Sequence, residues 1–515
     1  MATQKPLQEM LPDIISHIQQ YTEFMEFNLR LYEVLEGQLK QEVEKSLRKE
    51  IISTAALNRA LQRIPPVNIL RKATDKLSKV YIEAPVRLAD NKTDLDIMHN
   101  IARTSRLNNA MNVCNRMYNA QNMVALEPFV QDKKIQFRVL GGHQFLPYSD
   151  DPVNPNKMTV AIKFLGVENK QFLPVYSDTG KLLQAATVKE VSLFALYSDT
   201  EFMVIDDGGN IRRDKMEEMG ITETTNPFGR IPIIYRSKSQ LQLIPFPNQE
   251  GFDISVLVPK LLTDLNYAAQ FMSHSIIWTK NADLSGQEIN PDAIVDLGDS
   301  SADDGQPEIG TIDPKVDIPN IISMIEYQLQ NFFATIGINA QATGMLSNGR
   351  DASGIAKAID EGDTTASRKM QIDIFRDMES ELWELIAVMQ DRLVNTTSLD
   401  ENRKFSSSFI DSFRIKYAEV RPFKTDKQLL EEIQLWRDQK LMTRKQAIRQ
   451  LRPDFTDSQI DDWIEELDDE SENDLERMLA GMPTTGPDRS AEGTFNEGNQ
   501  VAQDQNPDST PESKT

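Results

Sequence analysis

The sequence predicts an α+β protein, mainly helical, with one β-rich module in its first half. Three observations predict this. Apolar residues recur at i, i+3 and i+4 through the first 125 residues, alternation replaces that spacing between about 130 and 245, and helical spacing then returns. A chain of 515 residues has room for roughly two to four domains and a substantial core.

The elements follow in order. Leu11, Ile14, Ile15 and Ile18 make one helical stripe, and Phe27, Leu29, Leu31, Leu35 and Leu39 extend it loosely. Pro65-Pro66 interrupts the run. A helix over about 94–118 sets Leu95, Met98, Ile101 and Ala102 on one face. Alternation then marks Ile135–Val139, Thr159–Phe164, Val191–Leu196 and Glu201–Ile205 as strands. The run Asp206-Asp207-Gly208-Gly209-Asn210 suits a hairpin turn. The module closes at Asn226-Pro227-Phe228-Gly229-Arg230-Ile231-Pro232-Ile233-Ile234-Tyr235, a turn feeding a short buried strand.

Two helices of similar length come next. Pro259–Trp278 begins at a proline suited to the first helical position and carries Leu261, Leu262, Leu265, Ala268 and Ala269. Pro319–Ile336 has Asp317 as a cap and carries Ile322, Ile325, Leu329, Phe332 and Phe333. Each spans about 27–30 Å, so the two can lie antiparallel side by side. The insert between them, Thr279–Val316, is acidic and punctuated by Gly and Pro, with a strand-like piece at Ala293–Val295. Asn339–Gly354 reads as a glycine-rich loop, and a long helix follows over about Thr364–Val394. A late strand at Phe413–Tyr417 precedes short helices at Lys427–Leu441, Thr443–Leu451 and Asp457–Leu467. Beyond about Gly481 there is too little apolar surface to offset the entropy of ordering, so an acidic disordered tail is expected over 481–515.

Composition narrows the function. No stretch reaches the roughly 18–20 uncharged apolar residues of a membrane span, and Met1–Pro6 has no basic, then apolar, leader pattern. The single cysteine, Cys114, fits a reducing compartment. The net charge of −23 is uneven: from Asp454 onward eighteen acids face three bases. The remaining body is only mildly acidic. Such a surface opposes tight nucleic-acid binding but not passage of DNA past it.

Catalytic and cofactor signatures are missing: there is no phosphate loop, dinucleotide fingerprint, HExxH or CxxC. Gly141-Gly142-His143 reads as a turn between strands. Asp206-Asp207 and Asp303-Asp304 read as solvated turns, because neither sits in a ligand pattern. The expectation is therefore no catalytic residue, no metal and no cofactor. Asn348-Gly349-Arg350-Asp351 places an arginine in a loop between two long helices.

The order of parts, with Asn226–Pro232 before the first matched helix and Asp351-Ala352-Ser353-Gly354-Ile355-Ala356 before the long one, resembles the tailed-bacteriophage portal proteins over nearly the whole chain. The resemblance implies a portal fold. Its wing would be residues 1–251, with the β-rich module at about 130–245. The first stem helix would be 252–279, the clip 280–317 and the second stem helix 318–338. A loop region at 339–368 would include the tunnel loop; the long helix and wing strand would occupy 364–423 and the crown helices 424–480. It also implies a homo-oligomeric ring, usually of twelve subunits, at one capsid vertex of the virion, made in the host bacterial cytoplasm and without membrane contact. Its partners would be the major capsid protein, the large terminase subunit, a head-tail adaptor and, transiently, double-stranded DNA. On that reading Asn348, Gly349, Arg350, Lys357, Arg368 and Lys369 belong near the channel. Leu261, Leu265, Ile322, Ile325, Leu329 and Phe332 belong to the stem interface. The alternative is another phage structural protein, an adaptor or a minor capsid component.

Overall fold

The computed structural model describes residues 5–172, 175–176, 182–184, 187–221, 223–273, 276–280, 308–312, 317–338, 362–394, 404–418, 426–451 and 460–467. They form a mixed α+β chain, mainly helical, with small antiparallel sheets. Contacts divide it into residues 1–423 and 424–515.

The N-terminal helices are α1 (Leu7–Gln20), α2 (Thr22–Glu33), α3 (Leu39–Glu50), α4 (Thr54–Leu61) and α5 (Ile69–Leu77). A π-turn at Val34–Gln38, with Gly37 at φ 111°, separates α2 from α3. The Pro65-Pro66 break falls between α4 and α5, and Asn68 restarts the chain by accepting a hydrogen bond from Arg71 N at 2.9 Å. The helix expected over 94–118 is two: α6 (Lys92–Thr104) and α7 (Leu107–Gln121). Arg106 sits in the left-handed region at φ 53° and turns the chain between them. Continuous apolar periodicity hid that break.

Strand β1 is Val86–Leu88. Strands β2 (Met123–Gln131), β3 (Lys134–Leu140) and β10 (Ile234–Ser237) form one antiparallel sheet in the order β10-β2-β3. Strands β4 (Phe145–Tyr148), β5 (Val160–Phe172), β8 (Thr187–Tyr197) and β9 (Phe202–Asp206) form another in that order. Val175–Tyr176 (β6) and Leu182–Gln184 (β7) pair with each other, and Arg213–Glu218 is the short helix α8. The β module thus starts at 123 rather than about 130. Strand β2 escaped alternation because both faces are buried: Val124 and Leu126 enter one core cluster, Met123 and Ala125 the other.

The second half begins with α9 (Gln249–Ser273) and continues through β11 (Ile276–Lys280), β12 (Glu308–Ile312), α10 (Ile318–Thr335) and the long α11 (Gly362–Val394). The short α12 (Phe409–Ser412) leads into β13 (Arg414–Lys416), which pairs with β1. In the C-terminal unit, α13 (Asp426–Asp438), α14 (Arg444–Leu451) and a helix at 460–467 follow. The piece at 293–295 and the tail at 481–515 lie outside the described residues.

Candidate functional site

The helix expected to start at Pro259 begins ten residues earlier. Asn248 caps it, accepting from Gly251 N at 3.1 Å, so Pro259 falls inside α9. Trp278, expected as its last residue, lies in β11. A proline there removes one intrahelical donor, a loss the packed N-terminal half tolerates. That half is built into the body: Ser255 is fully buried, accepts from Leu70 N at 2.7 Å and donates to Gly251 O at 2.7 Å. The two helices are therefore unequal, 25 and 18 residues.

Beyond α9 the chain runs out along β11 and returns along β12 into α10. The ladder pairs Ile276 with Ile312 and Lys280 with Glu308 and so closes the base of the insert. Asp317 caps α10 as expected, accepting from Asn320 N at 3.3 Å. Ile325, Leu329 and Phe333 are buried in a cluster with Ile69, Ala73 and Val258, and Leu261 and Phe332 pack at its margin. Leu265 is half-buried. Ile322 stays 41% exposed, beside Met324 at 42% and Tyr327 at 64%, two residues the sequence reading passed over. Their signal was available: α10 has a single charged residue, Glu326, in eighteen. A helix with one charge in eighteen residues keeps few positions that demand water.

Helix α11 is fixed by a buried polar network. Glu379, fully buried, accepts from Arg87 Nε at 2.7 Å and Nη2 at 2.9 Å, and from Tyr81 Oη at 2.7 Å. Tyr81 Oη in turn lies 2.8 Å from Tyr417 Oη. Burial works against the Arg87 charge, yet the Glu379 carboxylate beside it holds its pKa above the ordinary arginine value. Burial and the same carboxylate push the Tyr81 phenol well up. Two turns earlier, Asn115 Nδ2 donates to Gln371 Oε1 at 2.7 Å, and Gln371 Nε2 to Asn119 Oδ1 at 3.1 Å. Strand β1, helix α7 and the β13 region are thereby tied to one helix. None of these partners carried a sequence signal, since the pairs are some 250–300 residues apart.

Arg368 and Lys369 lie in the second turn of α11. Arg368 is half-buried and donates to Ala418 O at 3.3 Å, whereas Lys369 is exposed. Asn348, Gly349, Arg350 and Lys357 lie outside the described residues. The chain ends that bound them converge: Phe332, Thr335 and Ile336 of α10 and Ser367, Met370 and Gln371 of α11 line one cleft of about 650 Å³.

The remaining sequence candidates are structural. His143 stacks on Tyr32 at 4.7 Å, and burial pulls its pKa down to about 4. A Cβ on Gly141 would meet Gln121 Oε1 at 2.2 Å, so this turn needs glycine for close packing. The Asp206 carboxylate accepts from Gly208 N at 3.1 Å and Asn210 N at 2.8 Å, closing its hairpin turn. Asp303-Asp304 lies outside the described residues. Among the described residues no cluster of three or more His, Cys, Asp or Glu is placed to hold a metal ion.

Among the described residues, buried networks lock the helices to one another, and the reactive side chains singled out in the sequence serve turns and packing. The chain belongs to the phage portal proteins: the family described as "Phage portal protein, SPP1 Gp6-like" matches residues 13–473. No curated protein matches the chain. It is thus a virion component that forms an oligomeric ring at the capsid vertex, the channel for DNA packaging and ejection, and its role is structural, not catalytic. Among the described residues no helix is long and apolar enough to cross a membrane.

Proposed function

We propose that the out-and-back path α9–β11–β12–α10 is the portal stem and that residues 280–317 form the clip at its end, where the large terminase subunit docks first and a head-tail adaptor later. The single observation carrying this reading is the β11–β12 ladder, which turns two helices rooted in the body into one closed projection. The wing comprises residues 1–251 with the long helix and the late strand, and it faces the major capsid protein. The crown comprises 424–480, and the ring has twelve subunits.

Ile325, Leu329, Phe332 and Leu261 are occupied within the chain. The stem interface is therefore assigned to the outward face of α10, at Met324 and Tyr327, with Ile322 exposed at the N-terminal end of the core-facing stripe, and reaches Leu265 on α9. The tunnel loop lies within 339–368, where Asn348, Gly349, Arg350 and Lys357 make passing contacts with double-stranded DNA, flanked by Arg368 and Lys369. Sparse bases suit this role, because every firm phosphate contact adds a barrier to sliding.

Two measurements test the proposal. Negative-stain images and native mass spectrometry of the purified chain should give rings of twelve or a neighbouring number. In particles built with Arg350→Glu, rings should assemble normally while packaged DNA shortens or leaks, since a ring repeats the charge change in every subunit. Normal filling and retention would remove Arg350 from the channel, and failed ring assembly would make its loop an assembly element.

A further inference from the structure

We infer that the cleft beside Lys238 receives the α10 flank of a neighbouring copy of this chain, so that Lys238 of one copy meets Glu326 of the next. The inference rests on the ring reading above. The cleft, of about 650 Å³, opens between α5, the loop 238–248, the end of α10 and the start of α11. Phe246 and Met370 in its wall are 76% and 74% exposed, so large apolar side chains lie there without cover. Two of the lining residues carry charge, Lys238 and Glu250.

Lys238 has no carboxylate partner among the described residues. Its Nζ donates to Asn119 O at 3.4 Å and lies 5.7 Å from the centre of the Tyr118 ring. The side chain is exposed through the cleft mouth. Even so, the walls around the amine disfavour its charge and pull its pKa down to about 8, with no opposing pull from Glu250. A partly desolvated cation in the side of an apolar cleft is matched by a carboxylate flanked by apolar side chains.

Helix α10 carries that combination and points it the other way. Glu326 is its single charged residue, is exposed, and has no partner among the described residues. Ile322, one turn earlier on the same side, and Tyr327, next in the chain, are 41% and 64% exposed. Thr335, which lines the cleft, is nine residues beyond Glu326, about two and a half turns, so the two leave α10 on opposite sides. One subunit thus holds the cleft on one side of α10 and the lone carboxylate on the other. A head-to-tail ring uses this arrangement: two unlike patches that face apart in the subunit meet at every junction, in equal number. Seating the edge of a helix in an apolar groove is a common mode of recognition.

The test reverses the two charges in the full chain. Lys238→Glu and Glu326→Lys each set like charges at every junction, whereas the chain carrying both changes restores opposite ones. Folding is followed by circular dichroism, and ring dissociation on dilution by mass photometry. Each single variant should stay folded and lose its rings at protein concentrations at least about tenfold higher than the unmodified chain. The double variant should return to within about threefold of it. An equimolar mixture of the two single variants should also assemble, because in alternation every junction again pairs a base with an acid. Single variants whose rings match the unmodified ones overturn the inference, and so do weakened rings that neither the double variant nor the mixture restores. Rescue by the double variant without rescue by the mixture would put the pair inside one chain and overturn it too. Should a reversal disturb folding, Lys238→Gln and Glu326→Gln take its place: across a shared contact the double variant loses no more than either single, and additive losses overturn the inference. An unmodified chain that never forms rings would instead sink the ring reading itself.

Discussion

The body around α11 and the stem helix α10 solve opposite problems. In the body, the buried charged groups around α11 find partners inside the chain: Arg87, Glu379, Tyr81 and Tyr417 form one connected set, and the Trp383 ring lies against Phe405, Phe409 and Phe413. Helix α10 buries one side on α5 and α9 and leaves Ile322, Met324 and Tyr327 toward water, with one charge along its length. The body buries its strong interactions within the chain, while α10 keeps large apolar side chains exposed. This difference teaches where to look for assembly: in the portion of the fold with unspent apolar surface, not in the portion with the most interactions.

The largest expected effect breaks the body. Glu379→Ala leaves the Arg87 guanidinium buried without its carboxylate, and removing one member of a buried pair costs about 3–5 kcal/mol. Urea denaturation followed by tryptophan fluorescence should show that loss. Replacing both partners together, with Arg87→Met and Glu379→Leu, should recover most of it. A loss under about 1 kcal/mol for the single change would mean that the network does not hold the body together.

A smaller effect comes with pH. His143 has a folded pKa lowered by burial to about 4, below its ordinary 6.5, so the unfolded chain binds the proton more readily. Stability is therefore intact above about pH 6.5 and falls as pH drops toward 4, by up to about 3 kcal/mol at full protonation. His17, whose pKa burial also lowers, acts in the same direction. His143→Phe keeps a ring against Tyr32 and should flatten the slope between pH 6.5 and 5. An unchanged slope would show that the burial of His143 is not coupled to folding. Helix α10 carries no histidine, so it contributes no histidine-linked slope of its own.

Legibility in the sequence followed the same division. The α10 bounds, its Asp317 cap, the long helix and the late strand were readable because local spacing and capping chemistry decide them. The start of α9 was misread because Pro259 offered a local signal that Asn248 and Ser255 override through tertiary contacts. The break at Arg106 and the doubly buried β2 were missed because neither changes the apolar pattern. The Arg87–Glu379 pair was invisible, since nothing local joins residues so far apart.

The smallest effect on the subunit should be the most telling for the ring. Tyr327 is 64% exposed, so Tyr327→Asp should change the stability of the isolated subunit by no more than about 0.5 kcal/mol. In the ring the same change recurs at every interface. If the outward face of α10 lies against the neighbour, each interface must then take up a carboxylate without a partner, a cost of several kcal/mol. Rings should fail or dissociate on dilution while subunit denaturation curves stay superimposable. Tyr327→Phe, which keeps the apolar ring and loses only the hydroxyl, should assemble normally. Native mass spectrometry of the three proteins reads the result directly. Should Tyr327→Asp rings match the unmodified ones, the exposed face of α10 is not where subunits meet, and the contrast between body and stem helix would say nothing about assembly.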